Sequence, residues 1–260
     1  MKEYDIVIVG AGIAGLTAAI YAARAGKTVL VLEGKVEGGQ IINTIGIENW
    51  PGDMGVKGVD LIHKITAQAE ELGAEIDYVN VVNITKNDSK FEIFGDMDEK
   101  FIAKVVILAM GTNPRKMSEK QTADAGKRPI SYCATCDGAL YKGKKVVVVG
   151  HGNSAEHEVK YLKNICSYVY QIHHDDPIPD DADAIFVAIG RIPATECAKG
   201  LVKIDDRGYI VAGEDCHTSC PGVFVAGDCR TKGLRQLVTA ASDGAMATNE
   251  ALDYLSRKDS

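Results

Sequence analysis

Residues 5–33, DIVIVGAGIAGLTAAIYAARAGKTVLVLE, constrain the fold more than any other part of the chain. A β-branched apolar run leads into Gly10-x-Gly12-x-x-Gly15. An alanine-rich stretch comes next at 13–25, then a second apolar run at 28–32 that ends in Glu33. Alternation followed by helix-forming residues predicts strand, turn, helix, strand. The three glycines have separate tasks. Gly10 permits a tight turn, Gly12 lets the backbone approach a pyrophosphate, and Gly15 lets helix and strand pack closely. The helix start, at Ile13 and Ala14, offers unpaired N–H groups and partial positive charge to phosphates. Glu33 stands where a carboxylate can accept from ribose hydroxyls, with Gly34 after it. A glycine turn kept for packing alone would not need strand, helix and acid in register.

The rest of the chain reads as more α/β structure. Residues 59–72 have helical spacing, 74–94 are strand-like around a KNDSK turn, and 104–111 form a buried strand. Residues 34–58, with several glycines and Pro51, read as a long loop. Pro114 breaks the pattern. A second unit then offers strand 145–149, helix 153–163 and strand 167–172. Further strands are expected at 184–190, 209–213 and 222–228, and a last helix at 234–256. Residues 6–23 are apolar or small enough to suggest a membrane span, but the glycines divide them into strand and helix. No leader peptide is expected after Met-Lys-Glu-Tyr-Asp. A net charge of −7 argues against nucleic-acid binding. The 260 residues suit one large domain or two modest ones.

Seven cysteines is an odd number, and one pair stands as Cys-x-x-Cys in SYCATCDGALY. This points to a reducing, cytoplasmic setting with one functional dithiol, Cys133 and Cys136. Exchange chemistry needs two thiols that can close a small ring and a proton source for the leaving thiolate. Asp137 is the nearest candidate, and a helix starting at this loop would lower a thiol pKa. Zinc would need a second ligand pair, and CHTSC at 216–220 has poor spacing for it, so no metal is expected. The pair can also be read as two buried small hydrophobes.

Together these segments resemble the low-molecular-weight thioredoxin reductase family. The matching stretches are Gly10–Gly15, GGQI at 38–41, ENWPG at 48–52, CATCDG at 133–138, GHGNSAEHEVKYL at 150–162, FVAIGRIPAT at 186–195 and GVFVAGD at 222–228. The resemblance implies a three-layer, Rossmann-like FAD-binding domain interrupted by a second, truncated Rossmann-like domain carrying the Cys-x-x-Cys pair. The divisions would be 1–113, 114–182 and 183–260. It implies a homodimer with FAD as cofactor and thioredoxin as substrate. Glu33 would take the adenosine ribose, and Gly39, Gln40, Ile41 and Asn49 would lie along the FAD. Gly111 and Asp228 would complete the site, Asp228 accepting from a ribityl hydroxyl. The last helix, starting near Arg235, Gln236 and Leu237, would face the flavin. Cys136 would lie against the flavin, and Cys133 would attack the thioredoxin disulfide.

One departure bears on the electron donor. NADPH-using members carry arginines after the second strand of the inserted domain, whereas this chain has His173-His174-Asp175-Asp176. Two carboxylates repel a 2′-phosphate. The span 114–182 is short, with 184–190 assigned to the FAD domain and the later strands of the nucleotide fold missing. Gly150, Gly152 and Ala155 then read as a packing remnant. The chain therefore resembles the ferredoxin-dependent flavin thioredoxin reductases. The span 114–182 carries ten Lys and Arg against nine Asp and Glu, so the remainder holds −8. An acidic ferredoxin would prefer the inserted domain, where Lys142, Lys144, Lys145, Lys160 and Lys163 cluster in sequence, although a solvated face reads the same way. Two rivals remain. One is an NADH-dependent disulfide reductase using Asp175 or Asp176. The other is a non-enzymatic FAD redox sensor.

Overall fold

The computed structural model describes residues 2–34, 38–44 and 46–258. Residues 35–37 and 45 of the expected long loop lie outside them. In chain order come β1 (Glu3–Val9), α1 (Ile13–Arg24), β2 (Val29–Glu33), a 3-10 turn (Gly39–Asn43) and α2 (Gly58–Glu71). Next are β3 (Glu75–Tyr78), β4 (Val81–Asn87), β5 (Lys90–Gly95) and β6 (Lys100–Leu108). After β7 (Thr112–Pro114) the chain forms α3 (Glu119–Ala125), β8 (Ile130–Ser131), α4 (Ala134–Asp137), β9 (Lys145–Val149), α5 (Asn153–Leu162), β10 (Tyr168–Ile172) and β11 (Ala184–Val187). It returns through β12 (Arg191–Pro193) to β13 (Val223–Val225) and α6 (Leu237–Lys258). Residues 1–112 and 193–260 make one compact unit and 113–192 another. The two crossings, β7 and β12, pair with each other.

In the first unit the described strands form a seven-stranded sheet in the order β3-β2-β1-β6-β5-β4, with β13 also on β6. β6 is shared: residues 100–103 pair antiparallel with β5, and residues 106–108 pair parallel with β13. Strand periodicity sorts the side chains. Ile6, Ile8, Val31, Val105 and Ile107 face the layer holding α1, α2 and α6. Val7, Val9, Leu30, Leu32, Val106 and Leu108 face the opposite layer with Phe91 and Ile93 of β5. The alanines of α1 have a reason beyond helix propensity. A Cβ on Gly244 of α6 would lie 2.2 Å from the Ala14 carbonyl oxygen, so these two helices touch backbone to backbone. Thr248 Oγ1 donates to the Ala18 carbonyl across the same contact (3.1 Å).

The second unit is a four-stranded, all-parallel sheet in the order β10-β9-β11-β8. Both faces are covered, as parallel sheets require. Val146, Val148 and Phe186 pack under α4 and α5, while Val147, Val149, Ile185 and Val187 pack under α3 and Ile178. Two sequence expectations are corrected here. The run at 184–190 belongs to this sheet and not to the first unit, because β11 pairs residue by residue with β9. The unit therefore has four strands, and the second boundary moves from 182/183 to 192/193. The expected strand at 209–213 is absent among the described residues. Ile210 makes only isolated bridges, to Ile204 and Arg230. From β10 the chain reaches β11, on the far side of β9, through residues 173–183 without a helix, though parallel strands usually need a crossover helix.

Candidate active site

The first glycine turn has the geometry its spacing predicts. Gly10 adopts φ +104°, and a Cβ there would lie 2.5 Å from the Ala109 carbonyl oxygen. A Cβ on Gly15 would lie 1.8 Å from the Gly10 carbonyl oxygen. Gly12 differs from both. Its backbone is extended (φ −72°, ψ −177°), a conformation any residue adopts, and a Cβ there meets nothing within 4 Å. Neither conformation nor protein packing asks for glycine at 12, but a ligand lying on the backbone would. No side chain caps α1, leaving its first turn to such a ligand. Glu33 is buried at the end of β2 and accepts from the Gly38 N–H. Gly39 and Gly111 have positive φ with space for a Cβ, Gln40 is exposed, and Ile41 is buried.

The return strand brings the remaining expected residues to the same unit. After β13 the chain turns through Gly227, whose Cβ would lie 2.9 Å from the Ala14 side chain, placing Asp228 beside the start of α1. Asn49 Nδ2 donates to Gln236 Oε1 (3.0 Å), joining the ENWPG segment to the lead-in of α6. The Arg235 guanidinium donates to the carbonyls of Asp228, Lys232 and Arg230 and lies 4.2 Å over the Tyr209 ring. It fixes the loop from 228 to 236, and Leu237 then opens α6 half-buried against the core.

Under this turn lies an ion network that the sequence reading does not foresee. Asp243 on α6 accepts from the Gly227 N–H (2.9 Å), from Arg230 Nε and Nη2 (2.9 and 2.8 Å) and from Lys232 Nζ (2.7 Å). Arg230 is 1% exposed and also reaches Glu214 (3.1 Å). Burial pushes the Asp243 carboxyl up, but Arg230 and Lys232 outweigh it and hold it below its ordinary value. Asp243 shares the i, i+4, i+8 face of its helix with the buried Ala247 and Ala251. Arg230 and Lys232, two residues apart just before the helix, were the available signal.

In the second unit Cys133 and Cys136 are joined in a disulfide, with Cα atoms 5.3 Å apart. Asp137 Oδ2 accepts from Ser131 Oγ (2.5 Å), and Ser131 Oγ accepts from the Cys133 N–H (3.1 Å). Ser131 thus ties the acid to the cysteine loop, a role the sequence reading misses. α4 is a single turn continued by a 3-10 turn (Gly138–Tyr141). The expected helix-dipole effect therefore has little helix behind it, and individual groups must set the thiol chemistry. Of the other cysteines, Cys197, Cys216 and Cys229 are buried and Cys166 and Cys220 half-buried. Burial pushes Cys216 and Cys229 up to about 12 and Cys197 to about 11. His217 of CHTSC is bonded to Glu250 (2.8 Å).

Comparison with known proteins decides the family. The profile of "Pyridine nucleotide-disulphide oxidoreductase" matches residues 4–180 and 172–244. The chain belongs to this family. Its relatives include thioredoxin reductases of Listeria monocytogenes (33% identical; 98% of this chain, 94% of the relative) and Bacillus subtilis (31%; 98% and 95%). Among solved structures, the thioredoxin reductase from Streptococcus pyogenes superposes with a TM-score of 0.90 at 31% identity, covering 98% of this chain and 99% of that one. A ferredoxin-flavin thioredoxin reductase from Clostridium acetobutylicum gives 0.64 at 26% identity, covering 100% and 99%. The family carries FAD, and the open backbone at Gly12 beside Asp228 fits that group.

The second glycine turn of this family member departs from the packing-only reading. Gly150 adopts φ +135°, a Cβ there would lie 2.5 Å from the Ala188 carbonyl oxygen, and Ala155 is fully buried. Packing explains both. Gly152, like Gly12, is extended and would carry a Cβ without contact within 4 Å. The segment after β10 is unlike a phosphate grip. His173 stacks on His151 (3.7 Å between centroids), the Asp176 side chain accepts from the His173 N–H (2.8 Å), and Asp175 pairs with His174 (3.2 Å).

Proposed function

We propose that this chain is a flavoprotein disulfide reductase that reduces thioredoxin with electrons from a reduced ferredoxin. The observation that carries the first half is the Cys133–Cys136 disulfide with Asp137 tied to its loop through Ser131. FAD, when bound, supplies the electron pair that opens this disulfide. In the reduced protein the Cys133 thiolate attacks one sulfur of the thioredoxin disulfide, forming a mixed disulfide. Cys136 then attacks Cys133, which re-forms the protein disulfide and releases the thioredoxin dithiol. In this reading Asp137 protonates a leaving thiolate. One dithiol is oxidised and one disulfide reduced. Gly10, Gly12, Ile13, Ala14, Gly15, Glu33, Asp228 and Gln236 are the FAD contacts in this reading, with Arg235 holding the loop that bears Asp228. The homodimer and the cytoplasmic setting belong to the same reading, the latter supported by five unpaired cysteines.

Support for ferredoxin comes from what the second unit lacks. No arginine stands at 173–176, and the passage from β10 to β11 has no helix. Alignments with relatives run to 302 and 305 positions against a chain of 260, so those relatives carry residues this chain does not. Gly152 favours a second reading, in which NADH lies on the second turn with Asp175 or Asp176 on its unphosphorylated ribose. Anaerobic mixing separates them. Reduced ferredoxin should bleach the flavin absorbance and thioredoxin disulfide should restore it, while NADPH leaves it unchanged over minutes. Bleaching by NADPH overturns the donor assignment. Bleaching by NADH and not by ferredoxin establishes the second reading. No turnover of thioredoxin with any donor leaves a redox sensor.

A further inference from the structure

Glu158 is an acid on α5 that the exchange chemistry leaves unused. It lies between Ala155 and Leu162, which pack this helix against α4. Its helix packs through Ala155, Val159 and Leu162 on Ala134, inside the Cys133-Ala134-Thr135-Cys136 loop. Its Oε2 atom is buried with no hydrogen-bond partner among the described residues. An ionised oxygen in that position is costly. Burial accordingly pushes Glu158 up to about 7, although the Ala134 N–H and the charge of Arg191 favour ionisation. Asp137 of α4, bonded to Ser131, belongs to the cysteine loop itself and is the same in every variant compared, and the remaining charges nearby are engaged elsewhere. On β9, Lys145 is paired with Asp181; on β10, Tyr170 is bonded to the same Asp181. Tyr168 of β10 and the helix's own Glu156, His157 and Lys160 are exposed.

We propose that Glu158 is a positioning residue for disulfide exchange, its charge setting the acidity of the Cys133–Cys136 dithiol in the turn its helix packs on. Opening the disulfide consumes two electrons and one proton and leaves one thiol and one thiolate. A second proton gives the dithiol. A charge on Glu158 opposes a thiolate in the adjoining turn, and a proton on Glu158 removes that opposition. Two ionisations that oppose each other in this way are coupled. The carboxyl thereby holds the thiolate population down as pH rises above neutrality.

This role rests on the cysteine pair being the exchange centre, but its test needs no electron donor. In the FAD-loaded Cys136→Ser protein, the rate of Cys133 alkylation by iodoacetamide is followed from acid to alkaline pH by mass spectrometry. The expected profile has two ionisations, one near 7. Adding Glu158→Gln keeps the size but removes the charge. Its profile should match the parent in acid. Between neutrality and pH 9 it should run severalfold faster with a single ionisation, an apparent thiol pKa lower by about one unit. Superimposable profiles overturn the proposal. If Glu158→Gln does not fold, a single ionisation in the parent overturns it alone. A Glu158-dependent profile in a protein that cannot reduce thioredoxin would sink the functional reading and leave this one standing.

Discussion

Asp243 shows how much of the site depends on one buried carboxylate. It receives a backbone N–H and two cations, and one of those, Arg230, is almost wholly enclosed. Removing one member of such a set leaves a buried charge uncompensated. Asp243→Ala should therefore cost about 3–5 kcal/mol in urea unfolding, and a near-native midpoint would refute the network's importance. Because the cations hold the folded carboxyl below its ordinary value, its contribution is complete above the unfolded carboxylate range of about 4. That contribution fades as pH falls through the lower folded value. The wild type should lose stability over that acid interval, and Asp243→Asn should lose less. Sequence reasoning found Gly10, Gly12, Gly15 and the cysteine pair because each carries its constraint in local spacing. It missed Asp243, Ser131 and Glu158 because their partners lie 13, 6 and 24 positions away in sequence and meet only through tertiary packing.

At the scale of elements, α1 is held between two constraints. Gly15 packs against the Gly10 turn, and Ala14 and Ala18 against Gly244 and Thr248 of α6. Gly12 alone on this turn faces open space. Gly12→Val should thus fold with little change in apoprotein stability while losing most bound FAD, measured as flavin absorbance per chain after gel filtration. Full FAD retention would remove the glycine turn from the site. Gly244→Val should instead separate α1 from α6 and lower the melting temperature. Strand and helix identity was largely legible, since β-branched runs and alanine-rich stretches state their period. Sheet membership was not. AIFVAIG reads as a buried strand in either unit, and only its pairing with β9 assigns it. YIVAG has strand composition, but Ile210 finds isolated bridges and not a ladder.

For the whole molecule, the net charge of −7 masks an uneven distribution. Lys142, Lys144, Lys160 and Lys163 are exposed, and hydrogen bonds from Gly143 to Ile165 and from Ser167 to Lys144 bring their turns together. Flavin reduction by an acidic ferredoxin should slow with added salt, because screening acts within about 10 Å at 0.1 M. Replacing Lys142, Lys144 and Lys163 by glutamine should flatten that dependence, and an unchanged salt slope would remove this face from docking. The pairing of β6 has a further outcome, in the order of synthesis. The half at 106–108 waits for β13, and α1 waits for α6, both made after the second unit is finished. A ribosome that has translated only to about β12 therefore holds a continuous, closable second unit and a first sheet with an unfilled edge. Until β13 and α6 have been made, that edge at 106–108 and the face of α1 lack their cover and are open to aggregation.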